Sequence, residues 1–384
     1  MSAIYLGRRV EHLSHPGGPL PGRPATETTP DPSDPSVVAL KIVRRDHKSD
    51  DRVLKMFEDE GKLLQRLVHP NIVRTLGVGA DEEQSYIAME LMLGTTFAAI
   101  FDTAAARKLR LHVDIAAWVC ARIADALQYA HDLTDEKGKP LGLIHRDVNP
   151  QNIFATFKGE VKLFDFGMAK INSGSSLSQP NIIAGKLPYL SPEQIMQLPL
   201  DRRSDVFALG TTLWELLTGR RLFRRDTDGE TLRAVHMGPI PNPRDVAPDV
   251  PEPLAKIAKK ALERNRENRH PTAIDFGREL DQYLARANAT DIPARLAALV
   301  DTLFPGEQKR QLGWLKPAIT GNRPSMPPPP PSSDPGLRNN VVATTPPSSM
   351  KPAPLPKPPP APRLTNLVAP RPSSSGPRST RPKK

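Results

Sequence analysis

The sequence has one cysteine, few aromatic residues and no long apolar run. Because Cys120 is the only cysteine among 384 residues, no disulfide can form within the chain. Its neighbours are largely apolar, which predicts a buried thiol rather than a nucleophile. No apolar segment approaches the ~18 residues that a spanning helix needs, and the N-terminus lacks the apolar core of a signal peptide. These absences predict a cytoplasmic protein without a membrane span.

Strong net charge is also absent from most of the chain. The formal charge is +11, but residues 317–384 contain ten Lys or Arg and one Asp, which accounts for most of it. A globular surface that binds nucleic acid usually carries a basic patch. The remainder of the chain is close to neutral, which predicts no nucleic-acid partner.

Proline is concentrated in the same C-terminal region, where residues 317–384 hold 21 of the 44 prolines. Such a composition cannot bury enough apolar surface to offset the entropy of ordering, which predicts a disordered basic tail with polyproline II character. The tail is either a ligand for a polyproline-binding partner or a solvated segment without a dedicated partner. A shorter Pro/Gly-rich segment, about residues 8–36, is predicted to be a flexible insertion because both flanks read as structure.

The hydrophobic pattern divides the remaining chain into a strand-rich part and a helical part. In the first part, strand-like runs at residues 37–43 and 85–91 flank a helical pattern at 51–67. Helical patterns dominate the second part, at residues 113–130, 205–218, 254–262 and 274–284. This order predicts an α+β fold with two lobes and a ligand cleft between them.

A dense cluster of polar residues lies in the second part. Residues 145–152 read His-Arg-Asp-Val-Asn-Pro-Gln-Asn, and residues 165–167 read Asp-Phe-Gly. Phosphoryl transfer needs hard oxygen ligands that hold Mg²⁺ against the phosphates, and an acceptor for the proton of the attacking hydroxyl. Asp147, Asp165 and the amide of Asn152 are groups of this kind. The cluster resembles the catalytic and metal-binding loops of protein kinases.

Further motifs lie before and after this cluster, in the order along the chain that this family requires. Val-Ala-Leu-Lys at residues 38–41 resembles the strand with the phosphate-binding lysine, and Glu60 is placed to pair with Lys41. Residues 86–92 resemble the hinge, and Ser-Pro-Glu at 191–193 resembles the end of the activation segment. The resemblance implies that adenine is contacted by Ile4, Ala39, Met89, the backbones of Glu90 and Met92, and Phe154.

The resemblance covers roughly residues 1–284 and implies the two-lobed protein kinase fold, with a small β-rich N-lobe, truncated at its start, and a larger helical C-lobe. The predicted domains are an N-lobe at residues 1–92, a C-lobe at 93–290, a helical extension at 291–316 and the tail at 317–384. The motifs at residues 149–152, 185–186 and 191–194 are together similar to those of bacterial eukaryotic-like (Hanks-type) serine/threonine kinases, in particular myxobacterial members.

The family resemblance implies a role for each motif residue. Asp147 is expected to accept the proton of a serine or threonine hydroxyl, while Asn152 and Asp165 hold Mg²⁺, or alternatively Mn²⁺. Lys41, steadied by Glu60, is expected to orient the α and β phosphates of ATP. The implied activity is that of a serine/threonine protein kinase that phosphorylates protein substrates, autophosphorylates and acts in signalling.

The sequence lacks the Gly-x-Gly-x-x-Gly pattern whose backbone amides usually close over the phosphates. Met-Ser-Ala-Ile-Tyr-Leu-Gly at residues 1–7 resembles its second half, with Ser2 in place of the third glycine. Either translation starts upstream, or the protein lacks the loop and binds nucleotide poorly. We favour the first interpretation because the other phosphate-handling residues are retained. The alternative function is a pseudokinase scaffold with impaired ATP binding.

Two further departures from the family concern the surroundings of Asp147. Asn149 stands where serine/threonine kinases usually have a lysine that neutralises the transferred phosphate, and Lys186 stands where they usually have a threonine. Because these two positions face each other in the family's fold, we hypothesise that Lys186 supplies the missing positive charge. The alternative is that Lys186 points to solvent or contacts an acidic substrate.

Overall fold

The structure is a computed structural model that describes residues 3–8, 37–42, 51–80, 85–166 and 184–320. Nearly all of the predicted insertion and most of the predicted tail lie outside these ranges. No helix in the described ranges is both long and apolar enough to cross a lipid bilayer.

An antiparallel sheet forms the N-lobe in the described part of the chain. Its strands are β1 (Ala3–Arg8), β2 (Val37–Ile42), β3 (Thr75–Ala80) and β4 (Ser85–Glu90), in the order β1-β2-β4-β3. Lys41 lies in β2, opposite Ile4 of β1 and Ile87 of β4. The predicted phosphate-binding lysine is therefore on a central strand, whose position is fixed from both sides.

Helix α1 (Asp51–Gln65) packs against β3. The approach is close at Gly61, where an added Cβ atom would clash with the side chain of Val78. Glycine at this point of the helix lets the sheet come near the helix backbone, at a cost in helix propensity of about 1 kcal/mol relative to alanine.

A second, smaller sheet lies next to the predicted catalytic and metal-binding residues. It consists of β5 (Gly94–Thr96), β6 (Ile153–Thr156) and β7 (Val161–Leu163), paired antiparallel in that order. Asn152 directly precedes β6, and Asp165 follows β7 by two residues. Because β6 and β7 form a hairpin, the two predicted metal ligands emerge at the same end of it.

Helices build the rest of the C-lobe. They are α2 (Phe97–Ala106), α3 (Val113–His131), α4 (Pro192–Ile195), α5 (Arg203–Thr218), α6 (Asp228–Met237), α7 (Pro243–Val246), α8 (Glu252–Ala261), α9 (Ala273–Arg286), α10 (Ile292–Leu303) and α11 (Glu307–Thr320). The core lies where α3, α5, α8 and α9 pack together. Every residue of α5 from Ser204 onward is buried, and the helix ends at Gly219, whose φ of 68° is left-handed.

The prediction that Cys120 is buried is confirmed, since its side chain in α3 is fully enclosed. Each predicted strand and helix is present, with ends within two residues of the predicted ones. Helix α11 extends to Thr320, past the predicted boundary between the helical extension and the tail at residue 316.

Candidate active site

A buried carboxylate holds the loop that carries the His-Arg-Asp motif. Asp205, near the start of α5, accepts hydrogen bonds from the backbone N–H groups of His145 and Arg146, both at 2.8 Å. His131 Nε2 of α3 lies 2.8 Å from the same carboxylate. Burial alone would raise the pKa of Asp205, but His131 and His145, including the backbone N–H of His145, hold it below its usual value. The loop is therefore anchored on two core helices.

The side chain of Asp147 lies between the two residues that depart from the family pattern. Lys186 Nζ forms an ion pair with Asp147 Oδ2, and Asn149 Nδ2 donates to Asp147 Oδ1 at 3.0 Å. Asn149 also accepts from Gln151 N at 2.8 Å, which fixes the turn after Asp147. The Lys186 side chain is 25% exposed. It contacts Asp147 instead of pointing to solvent, and this is the geometry that the charge-replacement hypothesis requires.

A second ion pair joins the N-lobe to the loop after β7, with Lys41 Nζ 2.6 Å from Asp165 Oδ1. Burial alone would raise the pKa of Asp165, but Lys41 above all, with Lys186 and His145, holds this pKa below its usual value. The carboxylate is therefore ionised throughout the neutral range, as a metal ligand must be.

The backbone is left-handed at two positions of the site. Arg146 has a φ of 64° and Asp165 a φ of 63°, neither of them at a glycine. Such a conformation costs about 1–3 kcal/mol and persists only where surrounding contacts impose it. The hydrogen bond from Arg146 N to Asp205 and the ion pair of Asp165 with Lys41 are contacts of this kind.

Asn152 links the two loops of the site. Its side-chain Nδ2 donates to the backbone carbonyl of Asp147 at 2.8 Å, and its backbone carbonyl accepts from Phe164 N at 3.1 Å. Oδ1 is the atom of this amide that can serve as a ligand, because it carries the lone pairs while the NH2 group only donates. No cluster of three or more His, Cys, Asp or Glu side chains that could hold a metal is found in the described ranges. One amide and one carboxylate nevertheless fit Mg²⁺, which completes its shell with phosphate oxygens and water.

The predicted adenine-binding residues of the N-lobe lie on adjacent strands. Ala39 of β2 is directly opposite Met89 of β4, and Ile4 of β1 is opposite Lys41. For Ile4, only the backbone is described. The side chain of Glu60, within α1, lies outside the described part, so its predicted pair with Lys41 stays a prediction.

The remaining predicted adenine contacts flank the connection between the lobes. Glu90 ends β4, where its side chain accepts from Arg74 N at 2.8 Å and pairs with Lys162 at 2.7 Å. Met92 lies half-buried in the linker that follows. Phe154, in β6, places its ring edge-on to that of Phe164, with 6.4 Å between ring centres. All six predicted adenine residues are thus on the N-lobe sheet, the linker or β6.

Gln194 also contributes to this site, which the sequence motifs did not indicate. Its Nε2 donates to the Arg146 carbonyl at 3.0 Å, next to the left-handed turn before Asp147. Gln194 also forms a capping box with Ser191 at the start of α4. The pattern Ser-x-x-Gln is a sequence signature of such a box and could have indicated this helix start.

A buried ion pair lies at the end of the predicted activation segment. Arg269 binds both carboxylate oxygens of Glu193, at 2.7 and 2.8 Å. Ser204 Oγ donates to the same carboxylate at 2.7 Å. Burial alone would raise the pKa of Glu193, but Arg269 and Ser204 hold it below its usual value.

A partly buried network that no motif indicated lies beside the His-Arg-Asp loop. Tyr189 donates to Glu215 at 2.7 Å, and Arg221 contacts both of them and Asp102, at 2.8, 2.9 and 2.5 Å. Burial raises the pKa of both Glu215 and Tyr189. A small cavity of about 40 Å³ adjoins the network, lined in part by Gln151, Gly185, Pro188 and Tyr189.

Residues 31–276, more than half of the chain, match the protein kinase domain family. Tyrosine-protein kinase MasK of Myxococcus xanthus is 38% identical over 232 residues, which are 60% of this chain and 36% of MasK. Serine/threonine-protein kinase PrkC of Bacillus subtilis is 32% identical over 243 residues, which are 62% of this chain and 35% of PrkC. Serine/threonine-protein kinase PknB of Mycolicibacterium smegmatis is 34% identical over 250 residues (63% and 38%). The chain thus spans little more than a third of the length of these relatives.

Among solved structures, a double mutant of the Mycobacterium tuberculosis PknI kinase domain is 26% identical, with a TM-score of 0.50. The similarity covers 73% of this chain and 90% of the PknI domain. The two-lobed kinase fold and the similarity to bacterial Hanks-type kinases, both predicted from the motifs, are confirmed. The chain belongs to the protein kinase domain family.

Proposed function

We propose that the chain is an ATP- and Mg²⁺-dependent protein kinase that transfers a phosphoryl group to serine or threonine hydroxyls. The observation that carries this proposal is the arrangement of Asp147, Asn152 and Asp165. Asn152 is bonded to the Asp147 backbone, and the two carboxylates are each paired with a lysine, Lys186 and Lys41. An acceptor for a proton, two oxygen ligands and two cations are the groups that phosphoryl transfer requires.

In this mechanism Asp147 accepts the proton of the attacking hydroxyl. The hydroxyl oxygen bonds to the γ-phosphorus as the bond to the β,γ-bridging oxygen breaks, and ADP leaves. A carboxylate has about four lone-pair directions, so the bonds from Lys186 and Asn149 leave acceptor capacity for the substrate proton. Asn152 Oδ1 and Asp165 would hold Mg²⁺, which when bound neutralises phosphate charge. Lys41 would orient the α and β phosphates.

Lys186 takes the charge-neutralising role in this proposal. Asn149 can donate a hydrogen bond to Asp147 but carries no charge. The ammonium group of Lys186 pairs with Asp147. It would therefore lie near the position where the transferred phosphoryl group meets the acceptor. A fixed positive charge at that position stabilises the transition state because it needs no reorganisation during transfer.

Serine and threonine are the proposed acceptors because PrkC and PknB are named as serine/threonine kinases. Tyrosine is the competing acceptor, since MasK is named as a tyrosine kinase. Autophosphorylation and a signalling role are part of the proposal. Phosphoamino-acid analysis of the labelled product distinguishes the two acceptor classes.

The test is incubation of the purified chain with γ-labelled ATP, Mg²⁺ and a generic protein substrate. Wild type is expected to incorporate label into serine or threonine, and Asp147→Asn to lose at least about 100-fold in rate, because general-base and positioning effects are removed together. Asp226→Asn is the matched control, since Asp226 is exposed on the loop before α6. Label that persists in Asp147→Asn, or a wild type that incorporates none, would contradict the proposal.

A further inference from the structure

Helix α11 contacts the segment that joins the two lobes. Gln311 Oε1 accepts a hydrogen bond from Gly94 N, and Gln311 Nε2 donates to Gly94 O, both at 2.9 Å. Gly94 follows the last residue of β4 by four positions and begins β5, which is at the edge of its sheet. A side-chain amide has the same donor and acceptor as a peptide unit. Gln311 therefore pairs with Gly94 as one residue of a neighbouring strand would.

The contact is enclosed from both sides. Gln311 is 7% exposed, so both hydrogen bonds are shielded from water. On the opposite side, an added Cβ atom on Gly94 would clash with the Ala155 carbonyl of β6. The linker is therefore held between α11 and β6, the strand that carries Phe154 of the predicted adenine site.

Other contacts fix the extension to the C-lobe. Arg107, which follows α2, donates from both terminal nitrogens to the carbonyls of Thr302 and Leu303 at the end of α10, each at 2.9 Å. The turn between β6 and β7 presses on the start of α10, because a Cβ atom on Gly159 would clash with the Pro293 carbonyl. Helix α10 is thus attached to C-lobe elements at both of its ends.

Helix α11 also contacts the other lobe. Helix α11 packs against β1 and β2, and β2 carries Lys41. One helix therefore contacts both the linker, at Gly94, and the strand that presents the proposed phosphate-binding lysine. The ion pair of Lys41 with Asp165 depends on the same relative position of the lobes.

We propose that Gln311 is a positioning residue for nucleotide binding and that α11 is a strut that fixes the separation of the lobes. This inference rests on the proposed function. Without the amide, the N–H and C=O of Gly94 lose enclosed partners, which is more costly than the loss of an exposed hydrogen bond. The linker then becomes free to flex, and Lys41 no longer stays in register with Asp165. ATP binding is expected to weaken, while the chemistry at Asp147 is retained once ATP is bound.

The test compares Gln311→Ala and Gln311→Glu with Gln308→Ala, an exposed glutamine of the same helix. Glutamate keeps the shape but, when ionised, cannot donate to Gly94 O. Both Gln311 variants are expected to raise the KM for ATP about tenfold with kcat within about twofold of wild type. Gln308→Ala is expected to match wild type. A lower melting temperature with an unchanged KM for ATP would show that Gln311 only stabilises the fold, and would overturn the proposal.

Hydrogen exchange of the nucleotide-free chain separates this proposal from the proposed function. Amides of residues 92–96 are expected to exchange faster in Gln311→Ala than in wild type or Gln308→Ala, because the linker loses its outer partner. Unchanged exchange in these residues would overturn the strut. A wild type that does not bind ATP would refute the proposed function. Hydrogen exchange of residues 92–96 would then be the only test of the strut.

Discussion

Lys186 and Asn149 both contact Asp147, one with a charge and one without. Most serine/threonine kinases, by the family resemblance, place the charge at the position of Asn149. The side chains of both residues converge on one carboxylate although they come from separate segments of the chain. Under the proposed function, Lys186 would supply the positive charge for phosphoryl transfer from a different segment of the chain.

Lys186→Ala is expected to lower kcat by about 100-fold, because one fixed cation is removed from the site of charge development. The KM for ATP is expected to change by less than about threefold, since Lys41 and the proposed metal ligands are intact. Steady-state kinetics with varied ATP provides the measurement. Lys158→Ala removes an exposed lysine at the turn between β6 and β7 and serves as the charge-matched control. Equal kcat values for Lys186→Ala and wild type would reject the role of Lys186.

Moving the lysine from position 186 to position 149 makes this test more specific. Lys186→Thr should lose activity as Lys186→Ala does, whereas Asn149→Lys combined with Lys186→Thr restores the arrangement usual in the family. Recovery of most of the lost kcat in the double variant is the expected result. A double variant that is folded, as judged by circular dichroism, but as inactive as Lys186→Thr would show that position matters as well as charge.

At the scale of elements, the pair of Glu193 and Arg269 connects α4 to the segment before α9. Ser204, in the first turn of α5, shares the same carboxylate, so three elements meet at one ion pair. Both charged side chains are almost completely enclosed. Removal of one partner from such a pair leaves the other charge buried and uncompensated.

Arg269→Met is therefore expected to destabilise the fold by about 3–5 kcal/mol near pH 7. In wild type the pKa of Glu193 is lowered, so its contribution is present above the unfolded pKa and is lost as pH falls through the folded pKa. In the variant, burial without Arg269 raises the pKa of Glu193, and the carboxyl group protonates more readily. The difference between wild type and variant should therefore narrow as pH falls from 7 towards 4.5.

Urea denaturation at both pH values measures this difference. Arg278→Met is the control, because Arg278 forms an exposed pair with Asp275 within α9 and should contribute less than about 1 kcal/mol. A difference between wild type and Arg269→Met that widens at low pH would contradict the assigned role of the pair.

Regular elements were predictable where a periodic apolar pattern was long enough to be distinct. Helix α5 is an example, since Val206, Leu209, Leu213 and Leu217 recur at helical spacing and are all buried. Strands β5 and β7 have three residues each, too few to show a pattern. The proximity of Lys186 to Asp147 was expected from the family resemblance, in whose fold the positions of Asn149 and Lys186 face each other. The bond between Gln311 and Gly94 did not, because 217 positions separate the two residues and neither lies in a motif.

At the scale of the whole molecule, the site is divided between the lobes. Lys41 belongs to the N-lobe sheet, whereas Asp147, Asn152 and Asp165 belong to the C-lobe. A ligand that bridges these residues binds only the folded chain, so it must stabilise that chain by mass action. Ligand-dependent stability therefore tests the proposed site separately from turnover.

ATP with Mg²⁺, at about 100 times its Kd, is expected to stabilise the chain by about 2.7 kcal/mol, which corresponds to a Tm increase of about 5 °C. EDTA should remove most of the increase because it removes the metal. Asp165→Asn should do the same because the metal loses its proposed carboxylate ligand. Thermal denaturation followed by fluorescence measures the shift, with Asp226→Asn as the control that keeps it. A wild-type Tm that does not change when ATP and Mg²⁺ are added would favour the pseudokinase scaffold alternative.

The enclosure of Cys120 in α3 has a practical consequence. Burial raises the pKa of its thiol well above the usual range, so the group stays protonated and unreactive towards alkylating dyes. Cysteines introduced at exposed points of each lobe, such as Leu76 of β3 and Lys158 of the β6–β7 turn, can therefore be labelled without removal of the native one. A donor and an acceptor fluorophore at these two points would report the opening of the cleft in single molecules of an otherwise unaltered chain.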